Sequence, residues 1–302
     1  MITIMEELLS FLATPVISTY RTNCGIVGVN GKLYVSDTKN NQAESLVELP
    51  LSWTVTSVSY TAYTTAVITC KGNIYVRGDV ITKHPLINTG TYPDWTILPF
   101  SEPVVSALIG FRSMLILTLS GKVYGIGNNG DGHLGIGGQS WSPDPDGVSK
   151  FTLVELPAPC FQLKVRSTSI GAVTVDGSLY TWGHNHSGRL GLGKMIRSPI
   201  PIKVDVPNGE LVASVEILDS MLVLTVEGNL YNYCSGDLVQ VVRLGFCRQM
   251  RVTVRSTFTH LTQRYSKGKG LSQTLAVLWN KVILVDEKNN ERYTDYVMLD
   301  IV

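Results

Sequence analysis

Three features of this 302-residue chain bring together side chains of chemically useful types. His184-Asn185-His186 sets two imidazoles two positions apart, as at some metal or nuclease sites. Gly127–Gly138 contains GxxG spacings like those that cradle phosphates ahead of a helix. Cys24, Cys70, Cys160, Cys234 and Cys247 form the third group. None of the three develops into a reactive site. The histidines lack further ligands, and the glycines follow a repeat without opening a helix. An odd number of cysteines with no CxxC pair reads as buried free thiols in a reducing compartment, with Cys70 in a core column. The chain shows no paired carboxylates at useful spacing and no Ser/His/Asp set. No catalytic residue, metal or cofactor is expected.

Two other groups suit recognition better than reaction. SWSPDPDG, stiffened by prolines, carries Trp141, Asp144 and Asp146, and an exposed tryptophan in such a loop marks a contact. From Leu238 to Val285 there are basic residues but no acid, among them Arg264, Lys267 and Lys269. These three lie in FTHLTQRYSKGKGL, which also holds Phe258 and Tyr265. Such a strip is either a solvated surface or a seat for an acidic partner.

A repeat must position these groups. DGSLYTWGHNHSGRLGLG at Asp176–Gly193 echoes SGKVYGIGNNGDGHLGIG at Ser120–Gly137. With that pair as a ruler, a turn residue recurs at intervals of about 50 residues: Gly31, Gly72, Gly121, Gly177, Gly228 and Asn280. Apolar residues two and four positions before it, and another two after it, predict a β-hairpin in each copy. A small polar residue eight positions before the turn (Thr64, Ser113, Ser169 and Ser220 among them) can bond backbone where a strand begins. Leu134 and Leu190 read as buried anchors of the glycine loops. One apolar strand before each hairpin and another after it make four strands per unit, the plan of a propeller blade.

The expected fold is all-β: a single propeller domain over 1–302, with six four-stranded blades at about 14–50, 51–100, 101–157, 158–207, 208–245 and 246–302. A short helix is expected within residues 1–13. In such a meander the first-to-second and third-to-fourth loops share one face, and the hairpin turns occupy the other. The loop face therefore takes the long insertions, with Trp141, Asp144 and Asp146 of blade three across from Arg264, Lys267 and Lys269 of blade six. The turn face is expected to offer only short turns.

A net charge of +1 argues against a globally basic nucleic-acid binder. No apolar run approaches the roughly 18 residues that span a membrane. The N-terminus carries Glu6 and Glu7 and no basic n-region, so a signal peptide is not expected, and an intracellular location is.

The pattern G-x-[LIV]-Y-x-[WI]-G-x-N-x-x-G-x-L-G-x-G, at 121–137 and 177–193, resembles the repeat of the regulator of chromosome condensation family. That resemblance implies a propeller, usually of seven blades, which makes seven the alternative to the six counted. It also implies a role as an adaptor, an inhibitor of other proteins, or a nucleotide exchange factor for a Ran-type GTPase. The family's glycine-then-histidine before the second strand is incomplete here, since Gly110 is present but Ser113 stands in the histidine's place. The expected function is a non-catalytic protein-interaction propeller. Exchange on a small GTPase is the first alternative, and nucleic-acid or acidic-partner binding through blade six the second.

Overall fold

The computed structural model describes residues 53–61, 64–78, 95–110, 112–138, 148–185, 188–193, 195–217 and 220–234, together with backbone strands nearer the two ends. Among the described residues are six four-stranded sheets, each a meander in chain order. They run from Val16 to Glu48, Val55 to Leu98, Val104 to Val154, Cys160 to Lys203, Val212 to Arg243 and Met250 to Thr294. Every pairing is antiparallel. The fold is a β-propeller, and the sheets are its blades. The helix expected within residues 1–13 lies outside the described residues.

The first strand of each blade lies innermost. Val55–Tyr60, Val104–Ile109, Cys160–Arg166 and Val212–Ile217 each pack on the first or second strand of the blade before. Second strands are then covered on both faces, which is why MLILT, SIGAVT and MLVLT show no alternation of apolar and polar residues. Ser113–Thr118, Ser169–Thr174 and Met221–Thr225 are buried at every position. Cores form between blades. Ile68 and Ile74 of blade two meet Val104, Met114 and Ile126 of blade three. Leu115, Leu117 and Val123 of blade three meet Leu163, Ile170 and Trp182 of blade four.

The hairpin turns correct one expectation. The residue four before the turn is core (Ile68, Leu117, Val173, Leu224), but the residue two before it is not. Leu119, Val175 and Val226 are 72%, 64% and 52% exposed, and Cys70 is exposed as well. The strand has already ended at a threonine: Thr69, Thr118, Thr174 or Thr225. Each threonine carbonyl accepts a hydrogen bond from the turn glycine's N–H, at 2.8–3.0 Å. The N–H of Thr69, Thr118 and Thr174 also donates to the carbonyl of the residue after the turn glycine, Asn73, Lys122 and Ser178. This is a type I turn closed by a left-handed residue, the geometry that admits glycine. Gly121, Gly177 and Gly228 have φ of +81°, +77° and +81°. A residue at the outer corner of such a turn points away from both neighbouring blades.

Candidate partner-binding face

The glycine loops of blades three and four are clasps. Asn129 Oδ1 accepts from Leu134 N at 2.9 Å, and Asn185 Oδ1 accepts from Leu190 N at 2.7 Å. Their amides donate onward, Asn129 to the Gly137 carbonyl at 3.3 Å and Asn185 to that of Met195 at 2.8 Å. The loops fold back, and Leu134 and Leu190 lie fully buried. Each loop then grips the next blade. Trp182 of blade four, wholly buried, donates its indole N–H to the His133 carbonyl at 3.0 Å. A side chain at Gly135 would meet that indole at 2.6 Å, and one at Gly191 would meet Tyr233 of blade five at 2.8 Å. Asn185 therefore serves loop structure. Among the described residues no three His, Cys, Asp or Glu side chains gather as metal ligands would.

Trp141, Asp144, Asp146, Phe258, Arg264, Tyr265, Lys267 and Lys269 lie outside the described residues. What the structure does describe is the opposite, turn face, and it is not blank. Each turn glycine abuts the residue that opens the next blade: Gly72 on Pro103, Gly121 on Pro159, Gly177 on Leu211. The glycine carbonyls of residues 72, 121 and 177 accept from Val104, Cys160 and Val212 N–H at 2.8–3.0 Å. Pro103, Pro159 and Leu211 in turn accept from the N–H of Leu119, Val175 and Val226 at 2.8–2.9 Å. Following those contacts, exposed apolar residues recur from turn to turn, at Cys70, Pro103, Leu119, Pro159, Val175, Leu211 and Val226, and together they form an apolar track. Val105 and Phe161, 46% and 47% exposed, stand at bulges one residue inside the first strands of blades three and four. Sequence reasoning missed this track because it read the column two before the turn as core. The signal available was the threonine just ahead of it in four of the six copies (Thr69, Thr118, Thr174 and Thr225), which marks where the strand stops.

Charge changes sign along the track. Lys71 stands beside Cys70 in blade two, Asp176 beside Val175 in blade four and Glu227 beside Val226 in blade five, all exposed. In blade three the Lys122 ammonium lies 3.9 Å from the Glu102 carboxylate, which also accepts from the Ser120 hydroxyl at 2.6 Å. The Thr174 hydroxyl, donating at 2.5 Å, and Ser178 hold the Asp176 carboxyl below its ordinary 3.8. Burial pushes the Glu210 carboxyl up, but hydrogen bonds from Asn229, Thr225, Asn208 and Tyr231 outweigh it and leave the carboxyl below its usual 4.5. Both groups are anionic at neutral pH.

Fold and loops together define a class, the β-propeller whose blades are clasped by glycine-rich loops. Comparison with known proteins shows what these repeats resemble. A family model for the regulator of chromosome condensation (RCC1) repeat matches residues 176–217. The dog (Canis lupus familiaris) X-linked retinitis pigmentosa GTPase regulator is 34% identical over 108 residues, covering 35% of this chain and 10% of that protein. The human (Homo sapiens) regulator of chromosome condensation is 28% identical over 157 residues, covering 49% of this chain and 35% of that protein. The matches thus span about a third or less of these relatives' length. Among solved structures, human WBSCR16 superposes with a TM-score of 0.65 at 15% identity, covering 90% of this chain and 76% of that one. Yeast RCC1 (Prp20), solved with Kap60, gives 0.65 at 14% identity, covering 89% and 69%. The chain is thus a β-propeller with a regulator of chromosome condensation-like repeat over residues 176–217, and it is similar to propellers built of that repeat.

Proposed function

We propose that this chain is a non-catalytic protein-interaction propeller within the cell, and that its partner engages an open face of the ring. The observation that carries this reading is the exposed apolar track. Single exposed apolar residues are ordinary on a protein surface, but a set repeated at the joined turns of four successive blades marks an interaction site. It sits on short turns held by blade-to-blade hydrogen bonds, so binding there costs little ordering of the backbone. The loop face, where the sequence puts Trp141, Asp144, Asp146 and the basic insertion of blade six, is the second surface this reading offers.

The test is a photo-cross-linking amino acid placed at Val175 on the turn face and, separately, at Ile196, 73% exposed on the loop face. Each is introduced in the native cell and the captured proteins are identified. A partner trapped reproducibly from one face, recovered intact and unmodified, supports the reading. Chemical conversion of a captured protein, or no specific capture from either face, overturns it.

Nucleotide exchange on a small GTPase is the second reading. It draws on one relative being named a GTPase regulator and on a yeast Prp20 structure described with its binding to Gsp1p and histones. A nucleotide-release assay on any GTPase recovered decides between exchange and simple binding.

A further inference from the structure

The proposal that follows rests on the interaction reading above and goes on to name the partner's chemistry. Three properties of the turn face bear on what fits it. It is apolar along its length, with Leu119, Phe161, Val175, Leu211 and Val226 each between 47% and 72% exposed. It repeats from blade to blade, since consecutive turns are joined through turn glycines, through proline or Leu211, and through backbone hydrogen bonds. And it is electrostatically lopsided. At blades four and five, Asp176 and Glu227 stand immediately beside Val175 and Val226, and Glu210 precedes Leu211. On the outermost strands Lys203 is followed closely by Asp205 in blade four, and Arg243 pairs with Asn229 in blade five, so the outer edge adds one acid and two bases to the three carboxylates. At blade three Lys122 is offset by Glu102.

We propose that the turn face of blades three to five is a docking surface for a basic, apolar segment of a partner protein, with its apolar side chains on Val175, Leu211 and Val226 and its lysines or arginines toward Asp176 and Glu227. Apolar area supplies the affinity, and the carboxylates select the sign of the partner and speed its arrival. An acidic segment would set like charges against Asp176 and Glu227, which disfavours binding. A second copy of this chain is the competing occupant. It would have to bring its own Lys71 and Lys122 over Asp176 and Glu227, but Lys122 is already engaged with Glu102.

The experiment uses the full chain and three short fluorescein-labelled peptides: leucine–lysine, leucine–glutamate and serine–lysine. Fluorescence anisotropy should show the leucine–lysine peptide binding at least about tenfold more tightly than either of the others, a factor equivalent to about 1.4 kcal/mol. Val175→Ser combined with Val226→Ser should weaken leucine–lysine binding about tenfold at unchanged thermal stability, because both side chains already face water. Glu227→Lys should weaken it and raise affinity for leucine–glutamate. Ile196→Ser, on the loop face, should leave all three unchanged. Equal affinity for the lysine and glutamate peptides overturns the proposal, as does indifference to the paired serine variant. So does concentration-dependent dimerisation in sedimentation that Glu227→Lys abolishes. Failure here is separable from failure of the interaction reading. If a partner captured in the cell binds the paired serine variant as well as it binds the unaltered chain, the propeller still binds proteins but not through this surface.

Discussion

Replacing Gly177 by alanine tests whether the turn glycines serve only their own hairpin or also join two blades. The backbone there has φ of +77°, so any side chain adds left-handed strain of about 1–2 kcal/mol. A Cβ would also stand 2.8 Å from Leu211 Cβ and 3.1 Å from its Cδ2. Leu211 must move, and Leu211 leads directly into Val212, whose N–H donates to the Gly177 carbonyl at 2.8 Å. Loss of that bond adds about 0.5–1.5 kcal/mol, for a total of about 1.5–3.5 kcal/mol. Gly209→Ala is the matched reference, because φ is +65° there and an added Cβ meets nothing within 4 Å. It should cost only the backbone strain. Urea denaturation of both variants, followed by tryptophan fluorescence, measures the difference. If Gly177→Ala costs no more than Gly209→Ala, the inter-blade role of the turn glycine is wrong and only local conformation remains.

Other outcomes follow from the clasps, the thiols and the carboxyls. Leu190→Ala should cost roughly 2–5 kcal/mol as a large-to-small change at a fully buried site, and Asn185→Ala about 1–3 kcal/mol by leaving the Leu190 N–H unpaired, both read by chemical denaturation. Cys70, exposed, should react with a thiol reagent in the native protein, whereas Cys160, buried and with its thiol pushed up to about 12, should react only on unfolding; Cys70→Ser and Cys160→Ser assign the two phases. Asp176 and Glu210 both have lowered folded-state values, so their stabilisation is full above the ordinary 3.8 and 4.5 and is lost as pH falls through the folded values; Asp176→Asn and Glu210→Gln should flatten the acid limb of a stability profile.

How much was legible depended on what each column reports. The columns four before and two after the turn are apolar because they are core, and sequence reasoning placed Val173, Leu179 and their equivalents correctly. The column two before the turn is equally apolar for another reason. Hydropathy does not distinguish a buried valine from Val175 at an exposed turn corner, so Cys70 was assigned to the core and the turn face was expected to be bare. Turn chemistry does distinguish them. A strand that ends on Thr174, with its carbonyl bonded to Gly177 N–H, cannot keep residue 175 in the sheet. The small polar column gained a partner only in three dimensions: Ser169 Oγ donates to the His184 carbonyl at 2.6 Å, closing the far end of the same hairpin. The loop-face residues, Trp141 and the basic insertion among them, lie outside the described residues and remain a proposal.

The match to the family's repeat over residues 176–217 does not coincide with a blade. It starts at the hairpin turn of blade four, passes through the clasp loop and ends with the first strand of blade five, Val212–Ile217. That offset has a physical reason. The matched stretch is an interface: the turn glycine that receives Val212 N–H, the loop that folds on Asn185, and the strand that completes the core shared by Leu190, Val215 and Tyr231. Two more links cross the same boundary on the innermost strands. Gln162 accepts from Val215 N–H at 2.7 Å and donates to the Ser214 hydroxyl at 3.0 Å, and the Lys164 ammonium is hydrogen-bonded to the Glu216 carboxylate. Blades three to five, where the clasp loops survive, are thus the stretch with the most bonds between blades among the described residues. The exposed apolar track is most acidic over that same stretch. A surface assembled from residues of different blades holds its shape only where the blades are held to one another, so a partner that reads Val175, Leu211 and Val226 together depends on the interface the repeat match spans.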